Sequence, residues 1–142
     1  MISTKGRYAL RVLVDMAEQG ADALVPLHDV AKRQGVSEKY LQHVVKPLVS
    51  AGLLTGTSGR GGGYKLARPA KEIAALEVLE AAEGSISPVA CLVAGAQPCE
   101  RASACKTLPL WQRFYAMSRG FFGSITVADI AEGIDWDELG IE

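Results

Sequence analysis

The chain has 142 residues, 49% of them apolar, which is enough to fill the core of one domain or of a small domain with an appendage. It contains no run of about 18 apolar residues that could cross a membrane. Its first residues lack the apolar stretch of a secretion signal, so we expect a cytoplasmic protein whose thiols stay reduced. The net charge is −1, but residues 1–68 carry ten basic and five acidic side chains, whereas residues 69–142 carry five and eleven. A basic half suits a phosphate backbone, although charge alone fits a solvated surface equally well.

The first half of the chain predicts a helix-turn-helix. Apolar residues recur at helical spacing from Thr4 to Gln19, and a second, short helix is expected over residues 27–34. Gly35 can adopt the left-handed conformation of a sharp turn, and Ser37 is a good N-cap for a third helix that ends near Ala51. In such a motif the third helix lies in the major groove of DNA.

A β-hairpin is expected directly after these helices. Residues 53–57 and 63–66 have the character of strands, and the glycine-rich segment 58–62 between them predicts a turn. Arg60 lies at the tip, where it can approach phosphates or enter a minor groove. The glycines do not form a nucleotide-binding P-loop, because that loop ends in Gly-Lys-Ser/Thr and a helix follows it.

The second half of the chain is predicted to be helical around a polar loop. A helix is expected from Ile73 to Ala82, and a long helix rich in aromatic residues from Leu110 to about Gly120. The long helix could form a dimer face or pack on its own core, and its spacing does not decide between them. Thr126 is a candidate N-cap for a last short helix, and the acidic tail from Asp135 to Glu142 is expected to be solvated.

These segments predict a mainly α fold with a small β-hairpin wing and a long dimerisation helix. Residues 1–68 would form the DNA-binding region. Residues 69–142 would form the cysteine loop and dimerisation region, as one compact unit with the first helix.

All three cysteines of the chain fall within fifteen residues. Cys91, Cys99 and Cys105 follow the pattern C-x₇-C-x₅-C in a loop that also contains Gly and Pro. An odd number of soft thiolates suits a metal ion or an iron–sulfur cluster better than a structural disulfide. Accidental clustering of buried thiols is the alternative.

The chain resembles the small dimeric regulators of the IscR/NsrR/CymR type. The resemblance rests on Ser3–Ala9, Gly35–Leu41, the wing segment Gly61–Tyr64 and the three-cysteine loop. It implies a winged helix-turn-helix, a dimer, transcriptional control through a palindromic operator, and an iron–sulfur cluster on the three cysteines. Of the two common cluster types we expect [2Fe–2S] rather than [4Fe–4S].

The resemblance also places DNA contacts on the third helix and the wing. Glu38, on the same helix, could repel phosphates or select the amino group of a cytosine. The complete set of expected DNA-binding residues is Ser37, Glu38, Lys39, Tyr40, His43, Lys46 and Arg60.

The fourth ligand of a cluster stays open. The position at which the iron–sulfur regulators of this type have a histidine is Leu108 here, and the position of a carboxylate donated by a partner's first helix is Tyr8. Glu100 and Thr107 are nearer in sequence, and a small thiol or water could also serve.

We therefore predict a homodimeric transcriptional regulator that senses redox state, nitric oxide or iron–sulfur status. One alternative is a cluster-free regulator that responds through thiols or Zn²⁺. A remote alternative is a small iron–sulfur electron-transfer or carrier protein, which would leave the basic half and the wing without a purpose. No nucleophile–base pair or paired-carboxylate spacing stands out, so no enzyme is predicted.

Overall fold

The structure is a computed structural model that describes residues 1–140, and it confirms the predicted fold class of helices with a β-hairpin wing. Two single 3₁₀ turns, Ala70–Glu72 and Ala90–Leu92, lie between the main elements. In chain order the α-helices and β-strands are α1 (Thr4–Glu18), α2 (Leu27–Gln34), α3 (Glu38–Ser50), β1 (Leu54–Thr57), β2 (Gly63–Leu66), α4 (Ala75–Glu83), α5 (Leu108–Ser124), α6 (Val127–Glu132) and α7 (Trp136–Leu139).

Helix α1 forms the centre of the core. Ala9, Leu13 and Met16 recur at helical spacing and are at most 1% exposed. The helix packs against α2 and α3 from the first half of the chain and against α4 and α6 from the second. The first helix therefore holds together the two regions that the sequence analysis separated.

The turn between α2 and α3 has the geometry expected from its residues. Gly35 has φ +67°, and the N–H of Val36 donates to the carbonyl of Ala31 at 3.1 Å, as in a Schellman motif. The hydroxyl of Ser37 accepts a hydrogen bond from the N–H of Tyr40 at 3.1 Å, which confirms Ser37 as the N-cap of α3. These contacts fix the direction in which α3 leaves the turn.

The wing is fastened to the start of the helix-turn-helix. Strands β1 and β2 pair antiparallel, and Val25 and Tyr64 exchange backbone hydrogen bonds of 2.8 and 2.9 Å. A Cβ atom at Gly63 would lie 2.7 Å from the carbonyl oxygen of Val25, so only glycine allows this close approach. The hairpin thus has a fixed position beside α2 and α3.

The start of α4 differs from the prediction. Ile73 does not begin the helix but lies in extended backbone, where its carbonyl accepts from the N–H of Val127 at 2.9 Å. The N–H of Ala75 donates to the carbonyl of Ile125 at 2.8 Å. This two-bond bridge, formed across a long sequence separation, competes with helix formation and moves the beginning of α4 to Ala75. Thr126 caps α6 as expected.

The acidic tail contains one helical turn, α7, which the sequence analysis did not predict. The carboxylate of Asp135 accepts from the N–H groups of Asp137 and Glu138 at 3.1 and 3.2 Å. The ring of Trp136 stacks on that of Phe121, with centroids 6.3 Å apart. Residues 141 and 142 of the predicted tail lie outside the described residues. Across residues 1–140, no helix is long and apolar enough to span a bilayer.

A buried carboxylate ties α1 to the end of α2. The guanidinium of Arg33 donates to both carboxylate oxygens of Asp15, with contacts of 2.6 and 3.0 Å, and the side-chain amide of Gln34 adds a third hydrogen bond of 2.9 Å. Asp15 is 4% exposed. The hydrogen bond to Asp15 raises the pKa of Arg33 and outweighs the opposing effect of desolvation. Asp15 therefore orients the helix that leads into the turn.

Replacing Asp15 by alanine is expected to lower the free energy of unfolding by about 3 kcal/mol, because Arg33 and Gln34 lose a buried acceptor. Urea denaturation followed by circular dichroism measures the loss. Arg68→Ala is the matched control, because the Arg68–Glu77 pair is exposed and should contribute below about 1 kcal/mol. Equal losses in the two variants would contradict the role assigned to Asp15.

Candidate nucleic-acid interface and cysteine loop

Helix α3 presents a polar outer face to solvent. Its apolar side, formed by Leu41, Val44, Val45 and Leu48, is buried in the core. The opposite side carries four of the predicted DNA-binding residues, all of them exposed: Glu38, Lys39, His43 and Lys46. Three of these side chains can donate to phosphates or base edges, whereas Glu38 can only accept when it is ionised.

Two other predicted DNA-binding residues make contacts within the fold. Ser37 uses its hydroxyl to cap α3. The ring of Tyr40 is half-buried and packs edge-on against Tyr8, with centroids 5.6 Å apart and planes at 86°. The guanidinium of Arg11 lies 4.7 Å from the centre of the other ring of this pair, that of Tyr8. Contact of Ser37 and Tyr40 with DNA stays a prediction, but both residues also position α3.

A groove of about 680 Å³ separates α3 from the wing. Glu38, Gln42 and Lys46 line its helical side, and Thr57 and Gly62 belong to the strand side. Sequence reasoning missed Gln42, although its position four residues from both Glu38 and Lys46 places all three on one helical face. The groove therefore combines an acceptor, an amide and a cation along one line.

The edge of this groove carries a contact between the two helices of the motif. Nδ1 of His28, in the first turn of α2, lies 3.6 Å from Oε2 of Glu38. Both side chains are largely exposed, so the contact orients the carboxylate only loosely. Arg60 lies beyond the groove at the exposed tip of the hairpin, as predicted.

The cysteine loop, residues 85–106, leaves its thiols accessible. Cys91 and Cys99 are exposed and Cys105 is half-buried, and all three are free thiols. Within residues 1–140, no group of three or more His, Cys, Asp or Glu side chains is arranged to hold a metal ion. The loop as it stands does not bring the three predicted ligands together.

Cys105 has a specific local environment. Its sulfur lies 3.3 Å from the hydroxyl of Thr107. This hydrogen bond, together with backbone hydrogen bonds from Thr107 and Leu108, lowers the pKa of the Cys105 thiol. The lowered pKa favours the thiolate, which is the form that attacks oxidants and binds metals.

The donor set fits soft-metal chemistry in type but is incomplete in number. Thiolates suit iron–sulfur clusters and zinc, and both normally take four ligands. Leu108 begins α5 and offers no donor atom, and the ring of Tyr8 is engaged with Arg11 and Tyr40. Thr107 has a hydroxyl beside Cys105. A bound group would therefore need the loop to fold around it.

Helix α5 exposes an apolar stripe. Leu110, Phe114, Met117 and Phe121 follow one another at intervals of four, three and four residues, which places them on one face. Their exposures are 60%, 53%, 65% and 36%. In the described protomer α5 packs on α4, and Arg119 pairs with Glu80 across that contact. None of these four side chains is buried in the protomer, although Phe121 stacks on Trp136, and a dimer face on α5 stays a prediction.

A compact helix-turn-helix with a hairpin fastened beside its exposed third helix defines the class of winged-helix DNA-binding proteins. Comparison with known proteins agrees with this class and identifies the family. The family model named Rrf2 and described as "Iron-dependent Transcriptional regulator" matches residues 2–133. The chain belongs to the Rrf2 family of transcriptional regulators and is accordingly a DNA-binding regulator, not an enzyme.

Individual relatives support this assignment over nearly the whole chain. The HTH-type transcriptional regulator IscR of Serratia proteamaculans is 34% identical over 134 residues, which cover 94% of this chain and 80% of the relative. Among solved structures, the cysteine regulator CymR of B. subtilis aligns with a TM-score of 0.76 at 32% identity, covering 95% of this chain and 98% of that one. IscR of T. potens aligns with a TM-score of 0.72 at 28% identity, covering 97% and 90%.

Proposed function

We propose that this protein is a homodimeric regulator that binds a palindromic operator in the cytoplasm and senses redox, nitric-oxide or iron–sulfur status through Cys91, Cys99 and Cys105. The observation that carries the DNA-binding part is the groove between α3 and the wing. Exposed Lys39, His43 and Lys46 lie on α3, and Arg60 extends beyond the groove at the wing tip.

DNA recognition would divide between these two elements. The outer face of α3 enters the major groove, where Gln42 can make two hydrogen bonds to adenine and Glu38 can accept from the amino group of cytosine. Arg60 reaches a neighbouring phosphate or minor groove. The cations provide the sequence-independent part of the affinity, and Glu38 disfavours positions at which it would face a phosphate.

The apolar stripe of α5 supports the homodimer. Four large apolar side chains at 36–65% exposure on one helix are costly in water and typical of an interface core. If two copies of α5 met at this stripe, related by a twofold axis, their two winged-helix units would lie side by side. Such symmetry matches a palindromic operator, because half-site spacing mirrors the spacing of the recognition helices.

The accessible cysteine loop supports the sensory part. An iron–sulfur cluster would supply a soft, oxidisable group whose assembly gathers three thiolates from an otherwise open loop, and its loss would release them. The names of the IscR relatives and the description of the family model agree with such a group without specifying its type. We expect [2Fe–2S], with a fourth ligand from outside the cysteine set.

A second candidate keeps the DNA-binding half and omits the cluster. The lowered pKa of Cys105 favours direct oxidation or zinc binding at the same thiols. Structural similarity to CymR, the global cysteine regulator of B. subtilis, is compatible with this alternative. The two candidates differ in colour and metal content, so one preparation distinguishes them.

The variant Lys46→Ala tests the DNA interface. Removing one cation from the outer face of α3 should weaken binding to all sequences alike and reduce the slope of log K against log salt by about 1. Fluorescence anisotropy at several salt concentrations measures both quantities. Lys71→Ala, in the 3₁₀ turn outside α3 and the wing, should leave the slope unchanged. An unaltered salt slope for Lys46→Ala would indicate that DNA binds to another surface of the protein.

The variant Met117→Glu tests the dimer. A charge in the middle of the apolar stripe should weaken self-association roughly tenfold or more, because it would be desolvated at the interface. Sedimentation equilibrium measures the change. The matched control is Gln112→Glu, which adds the same side chain on the opposite side of α5. Wild-type protein that is monomeric at micromolar concentration, or equal effects of both substitutions, would contradict a dimer on this face.

Anaerobic absorption spectra with iron, sulfide and zinc analysis test the sensory group. We expect a coloured wild-type protein that contains iron and sulfide, and large loss of both in Cys99→Ala, since a thiolate ligand is removed. Ser103→Ala, in the same loop, should retain them. A colourless protein after reconstitution with iron and sulfide would favour the second candidate, and bound zinc would specify its form.

A further inference from the structure

The carboxylate of Glu83 joins the end of α4 to the beginning of α1. Its Oε1 accepts three hydrogen bonds: from the N–H of Ser3 at 2.7 Å, from the hydroxyl of Ser3 at 2.7 Å and from the N–H of Gly6 at 3.0 Å. The two residues that donate lie about 80 positions away in the sequence. We call this set of contacts the Glu83 clasp.

The clasp stabilises a helix N-terminus with a full negative charge. The first N–H groups of α1 lack partners within the helix, and the positive end of the helix dipole favours an anion there. Burial acts to raise the pKa of Glu83, but the hydrogen bonds from Ser3 and Gly6 together outweigh it and lower the pKa. A Cβ at Gly6 would collide with Oε1, so a larger residue there would displace the carboxylate from its present position.

Glu83 is also the last residue before the segment that leads to the cysteines. Ile86 and Ser87, three and four residues further on, are only 5% and 8% exposed, whereas Cys91 and the residues after it are largely exposed. The cysteine loop is therefore anchored at its first end, directly beside the clasp.

The other end of the connection reaches the recognition helix. Tyr8, two residues beyond Gly6, packs edge-on against Tyr40 at 5.6 Å. Tyr40 belongs to the first turn of α3 and donates its N–H to the cap at Ser37. Two short sets of contacts thus span the distance from the cysteine loop to the residues that would enter DNA.

We propose that Glu83 is a positioning residue that transmits the state of the cysteine loop to the first turn of α3 through the N-terminus of α1, within one protomer. This inference rests on the proposed function, because it requires that the loop be the sensor. Packed interfaces move between discrete arrangements, so a clasp that is closed in one state and opened in the other changes the tilt of α1. The Tyr8–Tyr40 contact passes that tilt to α3.

The test compares protein reconstituted with iron and sulfide with the metal-free form, in wild type and in Glu83→Gln. Glutamine keeps the shape of the side chain but removes its charge. Glu77→Gln is the control, because Glu77 lies on the same helix and accepts from Ala74 at 3.0 Å without touching α1. Hydrogen exchange of residues 37–43 reports on the recognition helix independently of DNA, and anisotropy gives the operator affinities.

In wild type and Glu77→Gln, reconstitution is expected to change exchange in residues 37–43 and to alter operator affinity about 5- to 150-fold. In Glu83→Gln both changes should fall to less than half, with each affinity still measurable. Should Glu83→Gln fold poorly by circular dichroism, Ser3→Ala removes one hydrogen bond of the clasp and should give a partial reduction.

The full exchange response and affinity ratio in a well-folded Glu83→Gln or Ser3→Ala variant would overturn the role of Glu83 and leave the proposed function intact. A wild-type affinity ratio of one, with no exchange response, would contradict sensing by the loop and this inference together. The response of the wild-type protein therefore distinguishes a failure of the Glu83 proposal alone from a failure of the proposed function.

Discussion

The burial of one face of α1 is the constraint on which the rest of the structure depends. Four of its side chains, Ala9, Val12, Leu13 and Met16, are at most 1% exposed, and they pack against elements from both halves of the chain. Apolar burial of this extent is the main favourable term in folding. A single helix thus supplies buried apolar surface both to α2 and α3 and to α4 and α6.

The polar contacts of α1 follow from the same arrangement. Asp15 lies on the buried face, where an ionised carboxylate is tolerated only with full pairing, and it determines how α2 docks. At the N-terminus of α1, Glu83 supplies the acceptor that the unpaired backbone N–H groups need. The two ends of the central helix are thereby joined to different elements: α2 of the helix-turn-helix near its C-terminus and the last residue of α4 at its N-terminus.

Local chemistry made most of the fold predictable. Gly35, Ser37 and Thr126 act through neighbours within a few residues, so a short stretch of sequence contains the whole reason for each cap. The pairing of Ile73 with Val127 and the binding of Ser3 by Glu83 join distant positions, and no periodicity marks them. The pairing of Asp15 with Arg33 could not be predicted for the same reason. In the sequence, Asp15 only interrupts an otherwise apolar helical face.

Some features of the candidate site could likewise be predicted from the sequence, and others could not. Helical spacing was sufficient to identify the outer face of α3, whereas the groove that adds Gln42 depends on where the hairpin docks. Type and spacing predict the three cysteines as a donor set, which stays a prediction, since the described loop leaves two of them in solvent and does not bring the three together. The exposure of the α5 stripe could not be predicted without knowing where α4 packs, since the spacing of Leu110, Phe114 and Met117 suits a core equally well.

The close approach of Gly63 to Val25 limits how this protein can diversify. Gly63, beside the turn in β2, has no space for a side chain, and Tyr64 after it forms a bridge with Val25 just before α2. Ser58, Gly59 and Arg60 at the tip are exposed and free of that bridge. Substitutions at Ser58 and Arg60 can therefore change the stretch of DNA that the tip reaches, while the contact between Gly63 and Val25 keeps the angle at which the tip is presented.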